Sequence, residues 1–223
     1  MLQHVFERAG MARYLTAVVV ATDDERIAAA ARRFGAAVRM TRADHPSGTD
    51  RVAEVASADS AEIIVNIQGD EPLIDPEAID AAVLALLDAP DVPMATLKKR
   101  IEVEDEIGNP NVVKVVTDRE GNAVYFSRAP VPYSRDGVRT AHYKHIGLYV
   151  YRRDFLVAFP ALPIGPLETA ECLEQLRAIE NGYRIRVVET GYESLGVDTL
   201  DDLERVEHLF GAAAPVAGGS EEH

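Results

Sequence analysis

The sequence is short of several features, and each shortage excludes a class of protein. Its single cysteine, Cys172, cannot form an internal disulfide, which fits a reducing compartment. No apolar run approaches the roughly 20 residues that a membrane helix needs. Residues 1–12 also lack the basic and apolar regions of a secretory signal. We therefore expect a cytoplasmic location and no membrane contact.

Basic charge is scarce as well. The 37 Asp and Glu residues outnumber the 23 Lys and Arg residues, which gives a formal net charge of −14. Such a surface repels a phosphate backbone and argues against nucleic-acid binding. A phosphate-bearing ligand must therefore arrive with a cation or meet local basic groups.

Familiar catalytic motifs are missing too. The chain has no G-x-G-x-x-G, G-x-x-x-x-G-K-[ST], H-E-x-x-H or G-x-S-x-G, and His142 with His145 is too small a set for zinc. The composition is otherwise that of a folded protein, with 47% hydrophobic and 27% charged residues. The length of 223 residues predicts one large domain or a domain with an appendage.

The first hundred residues alternate between strand and helix patterns. After an amphipathic helix near the start, strands are predicted at 15–22, 37–40, 63–67 and 94–98, with helices at 25–34, 50–58 and 76–88 between them. This alternation indicates a layered sheet with right-handed crossovers. The predicted fold class is α/β, with a Rossmann-like mixed, mostly parallel sheet and flanking helices.

The second half has a different pattern. A hairpin is predicted at 112–126, a strand at 145–151, a helix at 166–180, a strand at 184–190 and a last helix at 200–210. We expect a smaller antiparallel insertion at roughly 112–165 within a single domain of residues 1–210. Residues 211–223 have the composition of a disordered tail.

The strongest local motif is Asn66-Ile-Gln-Gly-Asp-Glu-Pro72, which directly follows a buried strand. Ligands of open α/β sheets collect beyond the carboxyl ends of the strands, so Asp70 lies where a hard cation with nucleotide phosphates would bind. A solvated turn before a helix explains the same acids without a ligand. The pattern alone does not separate the two interpretations.

A second carboxylate cluster, Gly196-Val-Asp-Thr-Leu-Asp-Asp202, also follows a strand. Thr199 with Asp202 three residues later is a capping box, and taken alone this structural explanation is favoured. The functional alternative is that Asp198 faces the same crevice as Asp70 and holds a second cation.

The remaining candidates are each more often structural than functional when taken alone. The segment His45–Arg51 places small hydroxyls and glycine at a helix N-terminus, where backbone N–H groups can meet an anion. Arg128, His145 and Tyr149 lie at strand ends. The helix pattern around Glu174 and Arg177 is typical of a solvated face, and Cys172 within it is interpreted as a core residue.

Together these motifs resemble the CMP-Kdo synthetases, the 3-deoxy-manno-octulosonate cytidylyltransferases. The resemblance runs through almost the whole chain in order. It is carried by Thr41-Arg-Ala-Asp-His45, Ser47-Gly-Thr49, Val65–Pro72, Met94-Ala-Thr96, Asn109-Pro-Asn111, Val113-Lys-Val-Val116, Tyr125-Phe-Ser-Arg128, His145-Ile-Gly147, Pro166-Leu-Glu168, Leu173–Arg177 and Gly196-Val-Asp-Thr199.

The resemblance implies transfer of CMP from CTP to Kdo with release of pyrophosphate, the activation step for the lipopolysaccharide inner core. It implies that Asp70 and Asp198 hold Mg²⁺ and are catalytic, and that Arg128 binds the Kdo carboxylate. Contacts to the sugar are implied for Gln68, His145, Tyr149, Glu174 and Gln175, and contacts to the nucleotide for Ser47, Gly48 and Arg51. Lys114 could face a phosphate or lie exposed on the hairpin. A homodimer is also implied.

The sequence departs from the family at its start. Family members open with a strand and a basic loop ending in Gly-Lys-Pro, whereas Met1–Arg8 here resembles the helix after that loop. We expect that the cell makes a longer enzyme; the alternative is a short paralogue without turnover. Because the missing strand would be central, its loss should expose apolar neighbours.

Overall fold

The structure is a computed structural model, and it describes residues 1–135, 140–197 and 199–213. Within those residues, no helix combines the length and apolar character needed to cross a membrane. The helices are α1 Leu2–Ala9, α2 Glu25–Arg33, α3 Gly48–Ser57, α4 Pro76–Leu87, α5 Asp105–Gly108, α6 Arg153–Ala158, α7 Pro166–Glu171, α8 Leu176–Glu180 and α9 Leu200–Ala213. The strands are β1 Val19–Thr22, β2 Ala37–Met40, β3 Ile63–Asn66, β4 Met94–Arg100, β5 Lys114–Thr117, β6 Ala123–Ser127, β7 Tyr143–Arg152 and β8 Ile185–Glu189.

The main sheet is organised around β7. This strand pairs antiparallel with β3, β4 and β5, while β8 runs parallel to β4 and β6 pairs antiparallel with β5. Strands β3, β4, β5 and β8 therefore share one direction, and β6 and β7 oppose them. The predicted α/β class, with a mixed sheet and flanking helices, is confirmed.

The predicted antiparallel insertion is continuous with this sheet. Strand β7 lies inside the range 112–165, yet its ten residues pair with three strands and every second side chain is buried. Strands β5 and β6 extend the sheet from it. The second-half strands thus complete the main sheet, because β7 supplies the partner that β3 and β4 share.

The two faces of the main sheet carry separate apolar cores. One core joins Ile146, Leu148 and Val150 of β7 to α1 and α4. The other joins Phe126 and Tyr151 to α3, α6 and α8. Because side chains alternate across a strand, His145 and Tyr149 lie on the second face, beneath α3 and α8.

Strands β1 and β2 form a separate parallel pair. Between β1 and β3 runs an apolar groove of about 710 Å³, lined by β-strand residues such as Val20 and Val65 and by Leu2, Phe6 and Val52 of the adjoining helices. Strands β1 and β3 are not hydrogen-bonded to each other, and residues of both line this groove.

Local capping explains where several helices begin. Asp75 accepts the Glu77 N–H at 3.0 Å ahead of Pro76, as predicted. Thr199 and Asp202 form the predicted capping box, with the Thr199 hydroxyl 2.7 Å from the Asp202 carboxylate. Helix α9 continues to Ala213, three residues beyond its predicted end, and residues 214–223 of the predicted tail lie outside the described part of the chain.

The predicted single helix over 166–180 is wrong. Cys172 has a φ of 52°, in the left-handed region, and separates α7 from α8. Its side chain is exposed, so its interpretation as a core residue is wrong too. The apolar pattern continues across the break, which is why periodicity alone did not show it. The break turns Glu174 and Gln175 toward the sheet.

Candidate active site

The loop after β3 carries Asp70 at the carboxyl end of the sheet. Asp70 is half-buried, and among the described residues no hydrogen bond or ion pair to its carboxylate is found. Its backbone carbonyl accepts the Val197 N–H at 3.0 Å. The residue just before Asp198 therefore lies against the Asp70 loop. Asp198 itself lies outside the described residues.

Glu71 ties the same two segments together by its side chain. It is buried and accepts hydrogen bonds from the Tyr192 hydroxyl at 3.1 Å and the Ser194 hydroxyl at 2.7 Å. Burial raises the pKa of Glu71, although the two hydrogen bonds act in the opposite direction. The two neighbouring acids therefore differ: the Glu71 carboxylate is hydrogen-bonded within the protein, whereas no described residue bonds to the Asp70 carboxylate. Sequence reasoning missed Glu71 and Tyr192.

Two predicted sugar-side residues of β7 lie side by side. The rings of His145 and Tyr149 have centroids 5.4 Å apart, and Phe126 meets the His145 ring edge-on at 5.0 Å. The His145 Nε2 lies 2.9 Å from the hydroxyl of the fully buried Thr96. His145 and Tyr149 are four residues apart on β7, so strand alternation places the two rings on one face.

The turn between α7 and α8 brings Glu174 to the N-terminus of α3. Its carboxylate accepts the Ser47 hydroxyl at 3.2 Å and the Thr49 hydroxyl at 2.9 Å. Burial raises the pKa of Glu174. Burial also raises the pKa of Tyr149, and the nearby Glu174 adds to that increase. The predicted solvated face is therefore wrong at Glu174. This predicted sugar-side residue is hydrogen-bonded to Ser47, a predicted nucleotide-side residue.

Gln175 carries an unsatisfied buried donor. Its side chain is buried, and its Nε2 has no hydrogen-bond partner among the described residues. A buried amide donor without an acceptor costs about 1–3 kcal/mol, so a partner supplied by a ligand would remove a real penalty. Arg177 on the same helix is occupied, since it forms a buried ion pair with Glu168 at 2.5 Å.

Arg51 and Gly48, the other nucleotide-side candidates, lie near the end of the β1–β2 pair, and the sugar-side candidate Gln68 lines the same groove. Arg51 forms an ion pair with Asp23 at 2.9 Å and donates to Thr41, which follows β2. Gly48 is exposed and begins α3 behind the capping Ser47. Gln68 is exposed and lines the groove beside β3. These residues border the groove, whereas His145 and Tyr149 lie further along the sheet.

Both expectations for Lys114 are wrong. It is fully buried, and its ammonium donates to three backbone carbonyls, so it neither faces a phosphate nor lies exposed. One of those carbonyls belongs to Arg128. The Arg128 guanidinium is half-buried and donates to the carbonyls of Glu171 at 2.7 Å and Pro110 at 3.0 Å.

Comparison with known proteins decides the family. A family model described as "Cytidylyltransferase" matches residues 1–185. The chain is 71% identical over 214 residues to 3-deoxy-manno-octulosonate cytidylyltransferase of Solibacter usitatus (strain Ellin6076), covering 96% of this chain and 85% of that protein. The chain belongs to the 3-deoxy-manno-octulosonate cytidylyltransferase family.

Further relatives agree with this assignment. The family member of Geobacter sulfurreducens (strain ATCC 51573 / DSM 12127 / PCA) is 59% identical over 217 residues, covering 92% of this chain and 87% of that protein. A solved structure of CMP:2-keto-3-deoxy-manno-octonic acid synthetase complexed with CTP is 43% identical, with a TM-score of 0.92 over 95% of this chain and 87% of that one. A 4-diphosphocytidyl-2C-methyl-D-erythritol synthase from Anaerococcus prevotii DSM 20548, at 13% identity and a TM-score of 0.61 over 94% of this chain and 88% of that one, shares the fold alone.

In this family member, His145 should stay neutral across the physiological range. Burial lowers the pKa of His145 from 6.5 to about 3. The unfolded chain binds that proton near pH 6.5 and the folded chain does not, so His145 should make the fold progressively less stable as the pH falls from about 6.5 toward 3.

An NMR titration of the histidine ring protons tests this expectation. One resonance, assigned by its loss in His145→Gln, should show no inflection between pH 5 and 8. An inflection of the His145 resonance near pH 6.5 would contradict a desolvated, neutral ring.

Proposed function

We propose that the chain transfers CMP from CTP to Kdo and releases pyrophosphate. The anomeric hydroxyl oxygen of Kdo bonds to the α-phosphorus of CTP, the bond from that phosphorus to the pyrophosphate oxygen breaks, and the hydroxyl proton is released. The observation that carries the proposal is the hydrogen bond from Val197 N–H to the Asp70 carbonyl, because it joins the two carboxylate-bearing loops at one edge of the sheet. The relative solved with CTP supports the nucleotide.

We propose that Asp70 and Asp198 hold Mg²⁺. Magnesium is bound in proteins through one or two carboxylates together with substrate phosphates. The carboxylate of Asp70 suits this role because no described residue occupies it, whereas Glu71 already accepts two hydroxyl hydrogen bonds. An ion held by these two carboxylates would supply positive charge to offset the negative charge that develops on the phosphates. The chain's part is to fix the two loops relative to each other.

The sugar is proposed to lie over the second face of the sheet. Gln175 Nε2 would gain the acceptor that it lacks, and Arg128 retains guanidinium N–H groups for the Kdo carboxylate. His145 and Tyr149 would form the floor, with Glu174 at the side toward the nucleotide. Gln68 would contact the sugar, and Ser47, Gly48 and Arg51 would lie on the nucleotide side.

The cellular context is part of the same proposal. By family resemblance, the product feeds lipopolysaccharide synthesis, and the enzyme acts as a homodimer in the cytoplasm. A second function class, a metal-dependent glycosyltransferase, would carry Asp-x-Asp where this chain has Gly-Asp-Glu-Pro. Within the cytidylyltransferases, a sialic acid or an 8-amino sugar acid is the alternative acceptor.

Pyrophosphate release measured with a panel of sugars tests the function. With CTP and Mg²⁺ present, release should require Kdo and should be far slower with N-acetylneuraminate or with an 8-amino sugar acid. Omitting CTP or Mg²⁺ should abolish it. Equal release with N-acetylneuraminate would move the proposal to that sugar, and CTP binding without release with any sugar would favour a non-catalytic paralogue.

A further inference from the structure

Lys114 is a buried cation without a carboxylate partner among the described residues. Its side chain is fully buried in β5, and burial lowers its pKa. A lysine ammonium has three N–H donors. Here they donate to the carbonyls of Asn109 at 2.9 Å, Val112 at 2.6 Å and Arg128 at 2.6 Å. All three N–H groups are therefore engaged, and they join the turn before β5 to the residue after β6.

The same turn holds the far end of Arg128. The Arg128 guanidinium donates from Nη1 to the Pro110 carbonyl at 3.0 Å, and Pro110 lies between the two turn residues that Lys114 binds. Lys114 therefore binds both the backbone of Arg128 and the turn whose Pro110 carbonyl accepts from the Arg128 guanidinium. Removing the ammonium would leave these three carbonyls without that donor.

Glu171 holds Arg128 from the opposite side. Its carboxylate accepts the Arg128 N–H at 2.8 Å and the Ser127 hydroxyl at 2.7 Å, and its carbonyl accepts Arg128 Nε at 2.7 Å. These hydrogen bonds form at the end of α7, where carbonyls lack helical partners and favour a cation. Arg128 is thus held at its amide, its carbonyl and its guanidinium.

We propose that Lys114 and Glu171 are positioning residues that orient Arg128 toward the carboxylate of a sugar acid. This inference rests on the proposed function, because it takes Arg128 as the group that meets the sugar. Together the three side chains carry two positive charges and one negative charge. The surplus positive charge also favours an anionic sugar over a neutral one in a chain of net charge −14.

A double-mutant cycle on binding tests the inference. The dissociation constants of Kdo and of CTP with Mg²⁺ are measured by calorimetry on the full chain for Lys114→Met, Arg128→Gln and the double variant. Lys114→Met keeps most of the apolar stem and removes the charge. Lys99→Met is the matched control, since Lys99 pairs with Glu193 away from Arg128.

Lys114→Met and Arg128→Gln should each weaken Kdo binding by roughly 10-fold or more, the loss expected for a hydrogen bond to a charged group. Because Lys114 acts through Arg128, the double variant should bind Kdo about as weakly as Arg128→Gln alone. Binding of CTP should change by less than about twofold in Lys114→Met, and Lys99→Met should alter neither ligand. A merely structural role would weaken both ligands together.

Three results would overturn the inference: unchanged Kdo binding in Lys114→Met, similar weakening of Kdo and CTP binding in that variant, or losses that multiply in the double variant. If Lys114→Met does not fold, Glu171→Gln enters the same cycle with the same expected pattern. Failure of the proposed function is a separate outcome, since the unmodified chain would then bind no Kdo or release no pyrophosphate with it.

Discussion

A chain extended ahead of Met1 by a strand and a basic Gly-Lys-Pro loop is expected to be at least about 100-fold more active than this chain, the effect typical of one lost donor to developing charge. Members of the family open with both parts of that extension. The strand would enter the groove between β1 and β3, and the loop would bring basic groups to the triphosphate. In a chain of net charge −14, such groups should matter more than in a neutral one.

The groove supplies the energetic reason. The groove is open, so its apolar walls forgo the roughly 25 cal/mol per Å² that burial would contribute. Its volume is about 710 Å³ and its walls carry Val20, Val52 and Val65. Open strand edges and apolar walls are best satisfied by another strand. The extension should therefore raise the free energy of unfolding by several kcal/mol.

The measurement compares pyrophosphate release and urea unfolding for the two chains. An extension in which alanine replaces the basic loop residues is the control, and it should restore stability without restoring the full rate. Equal activity of the extended and unextended chains would show that the loop is not needed. Equal stability would show that the groove is not the position of a strand.

Replacement of Asp70 by asparagine is expected to lower kcat by at least about 100- to 1,000-fold, the scale of losing one electrostatic contact to the transition state. Asparagine keeps the shape of the side chain and removes its charge. Because no described residue bonds to the Asp70 carboxylate, folding should be little affected. The affinity for Mg²⁺ should fall in parallel with the rate.

Two control variants show whether the loss of kcat in Asp70→Asn is specific to that carboxylate. Asp91→Asn, the same change at an exposed turn residue, should retain normal activity and stability. Glu71→Gln should mainly lower the free energy of unfolding, because Glu71 holds Tyr192 and Ser194 in place. An Asp70→Asn variant with near-normal kcat would remove Asp70 from the metal site.

Most of the fold was predictable because the first half of the sequence has clear strand and helix periodicity and clear helix-capping residues. The β3 strand and the Asp75-Pro76 helix start were found at their observed positions, since each depends on neighbouring residues alone. The break at Cys172 was missed because an unbroken apolar pattern conceals a single left-handed residue. The central position of β7 was also missed, since strand order depends on contacts far apart in the chain.

The site was predictable to a similar degree. Motif position placed Asp70 correctly after β3, and the resemblance named Glu174 and Gln175, which the structure brings to the sheet face. The supporting residues were harder to see. Lys114 and Glu71 act through buried hydrogen bonds to segments up to 120 or so positions away, and no local pattern marks such pairs.

The most direct test of the account is the position of the metal. Crystals of the extended chain grown with CTP and Mn²⁺ in place of Mg²⁺ would show the ion by its anomalous signal. The account predicts a peak bound by the Asp70 carboxylate, the Asp198 carboxylate and a phosphate oxygen of CTP. A peak held by other carboxylates, or CTP bound with its phosphates away from Asp70, would contradict it.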